Sequence, residues 1–223
     1  MSEDKRPEYA ELSASDFVAH LEQSGVLSES GVIMVRECVD GQPDGIDAKD
    51  LARRLVERGC LTEFQANRAL VGRSRGLVFG RYVLLDRIGA GAMGRVFKAR
   101  HQLMDRLVAL KVVQSAPSDA QDALFARFFR EMRIVGMLDH PNVVRAFDAD
   151  QHLNAPFIVM EFLEGEDLEK VLRRKGVLRP VEVMAYALQA AWGLAHGHQP
   201  GVVHRDIKPT NLFLTSEGIV KVL

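Results

Sequence analysis

The run Val202-Val203-His204-Arg205-Asp206-Ile207-Lys208-Pro209-Thr210-Asn211 sets a carboxylate, an ammonium group and a carboxamide five positions apart or less. Asp206 can accept a proton from a hydroxyl, Lys208 can neutralise a phosphoryl group in transit, and Asn211 can offer an amide oxygen to a metal ion. A second string, Gly89-Ala90-Gly91-Ala92-Met93-Gly94-Arg95-Val96, has the G-x-G-x-x-G-x-V spacing. Glycines there let the backbone approach phosphate oxygens and take φ values that a Cβ forbids. A dinucleotide-binding crossover would need the third glycine to open a helix. This string instead runs on into a β-prone segment, which favours a strand-loop-strand flap, although a plain hairpin without a ligand satisfies the same letters.

Lys111, in Val108-Ala109-Leu110-Lys111, lies 22 positions beyond Gly89. Strand alternation puts it on the face of the small Ala109, directed at whatever lies under the flap. Taken alone, a solvent-facing lysine fits equally well. Glu131 sits beside the apolar stripe of a helix, where it can turn inward and hold Lys111 by a charged hydrogen bond, or remain exposed.

The intervening segments must position these groups. Tyr82–Leu85, Val96–Ala99 and Leu107–Val113 are β-prone runs separated by glycine or polar turns, an antiparallel meander. Asp122–Leu138 carries Phe125, Phe128, Phe129, Met132, Val135, Met137 and Leu138 at helical spacing, and Asp139-His140-Pro141-Asn142 ends it. Val143-Val144 and Phe157–Met160 supply two more strands. A second long helix starts at Pro180 and carries a stripe of Val183, Met184, Ala187, Leu188, Ala191, Leu194 and Ala195.

Charge separates this part from what precedes it. Residues 1–76 hold 10 basic and 14 acidic side chains, and residues 77–223 hold 19 and 16. The polar run around Gly72–Gly76 reads as a linker, giving a helical module over 1–72 and a linker over 73–80. In the module, Ser15-Asp16 can cap a helix with Phe17, Val18 and Leu21 on one side, closed by Gly25. Ser28 can cap a second with Val32, Val35 and Val39, and Gly41–Gly45 is a turn. A third gathers Leu51, Leu55 and Val56 and stops at Gly59. Thr62 can cap a fourth through Leu70.

The 223 residues are 47% apolar with a net charge of −1, which excludes whole-chain disorder and argues against a dedicated nucleic-acid or membrane-surface binder. No apolar start resembles a secretion signal, and no run of about 18 apolar residues could span a membrane. The expected setting is cytoplasmic. Cys38 and Cys60 have neither the pairing nor the His spacing of a metal site or disulfide framework.

From Arg81 to Leu223 these motifs together resemble a eukaryotic-type protein kinase of the bacterial Ser/Thr branch, and Lys208 two places after Asp206 fits that branch. Leu61-Thr62-Glu63-Phe64-Gln65-Ala66 resembles the helical leader of large planctomycete-type kinases. The resemblance implies an α+β, protein-kinase-like fold: a β-rich lobe over 81–160, a hinge over 161–165 and a helical lobe from 166. It implies ATP and Mg2+ as cofactors and a protein substrate with a Ser or Thr hydroxyl. Gly89, Gly91 and Gly94 would cover the phosphates, Lys111 would hold the α- and β-phosphates, and Glu131 would orient Lys111. Asp206 would be the base, Lys208 the γ-phosphate contact and Asn211 a metal ligand. Ile88, Val96, Ala109 and Phe213 would sandwich adenine, with Met160 behind. Backbone groups of Glu161 and Leu163 would read its edge, and Asp167 would bond the ribose.

In that family the strand Val220–Leu223 leads into Asp-Phe-Gly, whose aspartate clamps magnesium, and the activation loop follows. The expectation is therefore a fragment or truncated reading with little activity by itself. The alternatives are a nucleotide-binding pseudokinase, or a regulatory or adaptor protein whose helical module recruits a partner.

Overall fold

The computed structural model describes residues 12–40, 46–91, 94–113 and 121–223. The turn expected at Gly41–Gly45 and the Ala92-Met93 pair of the glycine string lie outside the described residues. The chain divides into two units, residues 1–89 with 97–106 and residues 90–96 with 107–223.

In the first unit four helices follow the apolar spacing: α1 (Ala14–Ser24), α2 (Glu29–Asp40), α3 (Ala48–Glu57) and α4 (Glu63–Leu70). A side-chain oxygen accepts a first-turn N–H in each, from Asp16 to Ser13 at 3.1 Å, Gly31 to Ser28 at 3.2 Å, Lys49 to Asp47 at 3.3 Å and Gln65 to Thr62 at 3.2 Å. The cap of α1 is Ser13, upstream of the expected Ser15-Asp16, which lie inside the first turn. Gly25 and Gly59 take φ of 68° and 72°, the left-handed conformation that lets the chain leave a helix without a Cβ clash. Phe17, Leu21, Leu51 and Leu55 are wholly buried at the centre of this bundle. On α2 the buried positions are Gly31, Val35 and Cys38. Val39, expected on the same side, is exposed.

The run read as a linker is ordered. Ser74–Gly76 form a 3-10 turn, Leu77 is buried, and the short strand β1 (Val78–Phe79) pairs antiparallel with β2 (Tyr82–Gly91). With β3 (Gly94–His101), β4 (Arg106–Val113), β5 (Ala146–His152) and β6 (Ala155–Glu161), the strand order is β1-β2-β3-β4-β6-β5.

Strand β5 falls where no strand is expected. Val143-Val144 make no strand, and Val143 contributes only an isolated parallel bridge to Val222. The first long helix, α5 (Gln121–Val135), ends before Leu138 because the chain turns at Gly136. A second sheet combines β7 (Gly165–Asp167), β8 (Leu212–Thr215) and β9 (Val220–Val222) in sequence order, flanked by α6 (Leu168–Lys175) and α7 (Pro180–His198). This is the α+β arrangement that the resemblance implies.

Helix α7 begins at Pro180 as expected, and the face it buries is lined by small residues. Ala190, Gly193 and Gly197 point inward, while Met184 and Trp192 are 71% and 53% exposed. The cause is close approach: a Cβ at Gly193 would collide with the carbonyl of Asn142, whose own side chain donates to Val220 O at 2.8 Å. Among the described residues no helix is long and apolar enough to cross a membrane.

Candidate active site

Local geometry draws the loop after α7 tight around Asp206. Arg205 has a φ of 64°, an uncommon left-handed value for a residue with a Cβ, and it turns the chain so that Asp206 and the following 3-10 turn, Pro209–Asn211, face each other. Asp206 Oδ2 accepts from Lys208 Nζ at 2.8 Å and from Asn211 Nδ2 at 3.0 Å. The same Asn211 amide donates to the Asp206 carbonyl at 2.8 Å. Lys208, followed by Asn211, holds the Asp206 carboxyl below the ordinary carboxylate range against a smaller opposing effect of burial.

His204 fastens the loop from its other end. Its Nε2 donates to Leu223 O at 2.8 Å, which leaves Nδ1 to accept the Asp206 N–H at 3.3 Å. Leu223 N in turn donates to Asn211 O at 3.0 Å. The carboxylate is thus ionised, partly open to solvent and backed by two donors. With both amide hydrogens of Asn211 directed at Asp206, its Oδ1 is the atom left to meet a cation. Among the described residues no group of three or more His, Cys, Asp or Glu could hold a metal ion.

The pairing of β4 with β6 brings together the next group. Ala109 stands opposite Met160, and Lys111 opposite Ile158, so Ala109 and Lys111 share a face as alternation requires. Burial pulls the Lys111 ammonium below its ordinary range. Glu131, on α5, is exposed. Between α5 and the strands lies a cavity of about 450 Å³, bounded by Phe129, Met132, Gly136, Ala146 and Ile158, the register partner of Lys111.

The glycines differ in what they need. Gly94 has a φ of 133°, and a Cβ there would strike Val112 O on β4, so the strand pairing itself demands glycine. Around Gly91 the space is open. Val96, on β3, is half-buried. In the first unit, Ile88 is exposed and Gly89 half-buried near the end of β2.

At the other end of β6, Glu161 is held by three bonds. Its Oε1 accepts from Lys221 Nζ at 2.7 Å and from Arg145 N at 2.8 Å, and its N–H donates to Arg145 O at 3.0 Å. Leu163 follows in irregular chain before β7. Asp167 caps α6, accepting from Lys170 N at 3.0 Å, and stands in register with Phe213 on β8, which pairs in turn with Lys221 on β9. The lysine-glutamate bond was not foreseen. Its signal was the alternation Val220-Lys221-Val222, with both valines buried and the lysine turned the other way, but nothing in the letters named its partner.

Residues 82–223 match the protein kinase domain family, and the chain belongs to that family. It is 37% identical over 145 residues to the serine/threonine-protein kinase PrkC of Bacillus subtilis, covering 65% of this chain and 22% of that protein. It is 38% identical over 143 residues to the serine/threonine-protein kinase PknH of Mycobacterium tuberculosis, covering 64% of this chain and 22% of that protein. Among solved structures, the PknI kinase domain of Mycobacterium tuberculosis superimposes with a TM-score of 0.58 at 29% identity, over 66% of this chain and 60% of that one. The chain therefore spans about a fifth of the length of these curated relatives. Members of this family are enzymes that generally use ATP and Mg2+.

Proposed function

We propose that this chain acts as an ATP-dependent serine/threonine protein kinase, moving the terminal phosphoryl group of ATP to a protein hydroxyl in the cytoplasm. The observation that carries this reading is the sharing of Asp206 Oδ2 by Lys208 and Asn211. A carboxylate held ionised can take the proton of an incoming serine or threonine hydroxyl, while Lys208 sets a positive charge beside it for the phosphoryl oxygens. Lys111 would hold the inner phosphates, and Glu131 would orient Lys111. Gly89, Gly91 and Gly94 would cover the phosphates. Ile88, Val96, Ala109 and Phe213 would enclose adenine, with Met160 behind it, the backbone of Glu161 and Leu163 at its edge and Asp167 at the ribose. Asn211 Oδ1 would help hold a magnesium ion, whose charge would offset that of the phosphates.

The test is a thermal-shift titration with ATP on the full chain, beside the Lys111→Met variant. The expected result is a midpoint that rises with ATP in the wild type and rises much less in the variant, because a ligand that binds only the native state stabilises it by mass action. No response in soluble wild-type protein, or an equal response in both, overturns the reading.

A further inference from the structure

The family match begins at residue 82, so it assigns nothing to the helices that precede it. Helix α4 carries the Thr62–Gln65 capping box, and both partners use a second polar atom on β2. Thr62 Oγ1 accepts from Gln65 N at 3.2 Å and donates to the carbonyl of Leu85 at 2.6 Å. Gln65 Oε1 accepts from Thr62 N at 2.9 Å, while its Nε2 donates to the carbonyl of Leu84 at 2.8 Å. Gln65 is only 3% exposed, so removing its amide strands a buried carbonyl. Between the two, Phe64 sets its ring 5.9 Å from that of Phe97, a buried residue of β3.

One short helix therefore grips both strands that the glycine string joins. Leu85 lies four positions before Gly89, and Phe97 lies three after Gly94. The helix is itself braced from behind, because Ala66 and Ala69 belong to the same core as Phe17, Leu21, Leu51 and Leu55. A flap that must become ordered around a ligand loses conformational entropy on binding, and fixing the bases of its two strands beforehand reduces that loss.

We infer that α4 is a built-in clamp on the glycine hairpin, with Thr62 and Gln65 as positioning residues that raise nucleotide affinity without touching the nucleotide. The affinity part rests on the nucleotide-binding reading above. The coupling is reciprocal, so a nucleotide held under the flap must also tighten α4 on β2.

The experiment follows amide hydrogen exchange and the binding of a fluorescent ATP analogue in the full chain, for wild type, Gln65→Leu, Thr62→Val and Thr62→Ser. Gln65→Leu and Thr62→Val should speed exchange across β2 and β3 by about tenfold and weaken the analogue by about three- to tenfold, the effect of losing one buried hydrogen bond. Thr62→Ser keeps the hydroxyl and should match wild type, and the analogue should slow exchange in α4. Should Gln65→Leu fail to fold, the Thr62→Val and Thr62→Ser pair decides alone. Variants that melt earlier while exchange in β2 and β3 and analogue affinity stay at wild-type values would overturn the inference and leave α4 as packing only. If wild type does not bind the analogue, the affinity role falls together with the nucleotide reading, while the exchange comparison still decides the clamp.

Discussion

Lys221 Nζ lies 2.7 Å from Oε1 of Glu161, tying the last strand of the small sheet to the end of β6 across 60 residues of sequence. Both side chains are largely buried, at 14% and 22% exposure, so solvent screens the pair less than it would a surface ion pair. Lys221→Met leaves the Glu161 carboxylate with the Arg145 N–H as its remaining neutral donor, and should lower unfolding stability by about 1–3 kcal/mol. Lys221→Arg, which keeps the charge, should lose less. Urea unfolding of the three proteins checks this, and a methionine variant as stable as wild type refutes it.

Gly193 supplies a second test, from packing alone. Its backbone lies against Asn142, which is 5% exposed and donates to both Val220 O and Gln189 Oε1. Gly193→Ala gains the ordinary helix propensity of alanine, under about 1 kcal/mol, but must push Asn142 away from β9. The net effect should be destabilising by about 1–3 kcal/mol. A variant that unfolds at a higher urea concentration than wild type would show that α7 can slide without cost.

How far these features were legible depends on whether they are local. The Thr62 cap and the Gly25 and Gly59 stops were readable, because capping involves residues three or four apart. Lys111 sharing a face with Ala109 follows from strand period alone. Strand β5 was not readable: Ala146-Phe147-Asp148-Ala149-Asp150-Gln151-His152 is polar enough to read as a loop, and it becomes a strand only because β6 pairs with it. Val143-Val144 had the stronger β propensity and lost the strand, since tertiary pairing overrides propensity. On α7 the buried line of small residues has no counterpart in the apolar spacing, because the contact of Gly193 with Asn142 selects it. In the candidate site, the loop Asp206–Asn211 was visible as a spacing.

At the start of α7, Glu182 accepts from Lys175 Nζ at 2.8 Å and from Arg179 N and Nε, each at 3.1 Å. Lys175 first, then the Arg179 backbone and side chain, pull its carboxyl down to about 2. A folded-state value depressed in this way gives a contribution present above the unfolded value and lost only as pH falls through the folded one. Glu182→Gln should therefore lower stability at neutral pH, and the difference from wild type should shrink as pH falls from about 4.3, the ordinary glutamate value, towards 2. A difference that persists unchanged at pH 2 would show that the carboxylate charge contributes nothing.

On the proposed role of Asp206 as base, the pH dependence of phosphoryl transfer should report on its protonation. Lys208 is the first cause of the lowered Asp206 pKa, with Asn211 a smaller one. A base works only when ionised, so lowering its pKa moves the acid limb of kcat/KM to lower pH. Lys208→Met should do two separable things. It should reduce kcat by about a hundredfold, through loss of a positive charge beside the transferring group. It should also shift the acid limb upwards, towards the ordinary aspartate range, because the main partner holding the proton off is gone. Asn211→Ala should move the limb in the same direction by less. If Lys208→Met reduces the rate but leaves the limb where it is, the lysine acts on the phosphoryl group alone, and the 2.8 Å bond to Asp206 has no part in setting its protonation.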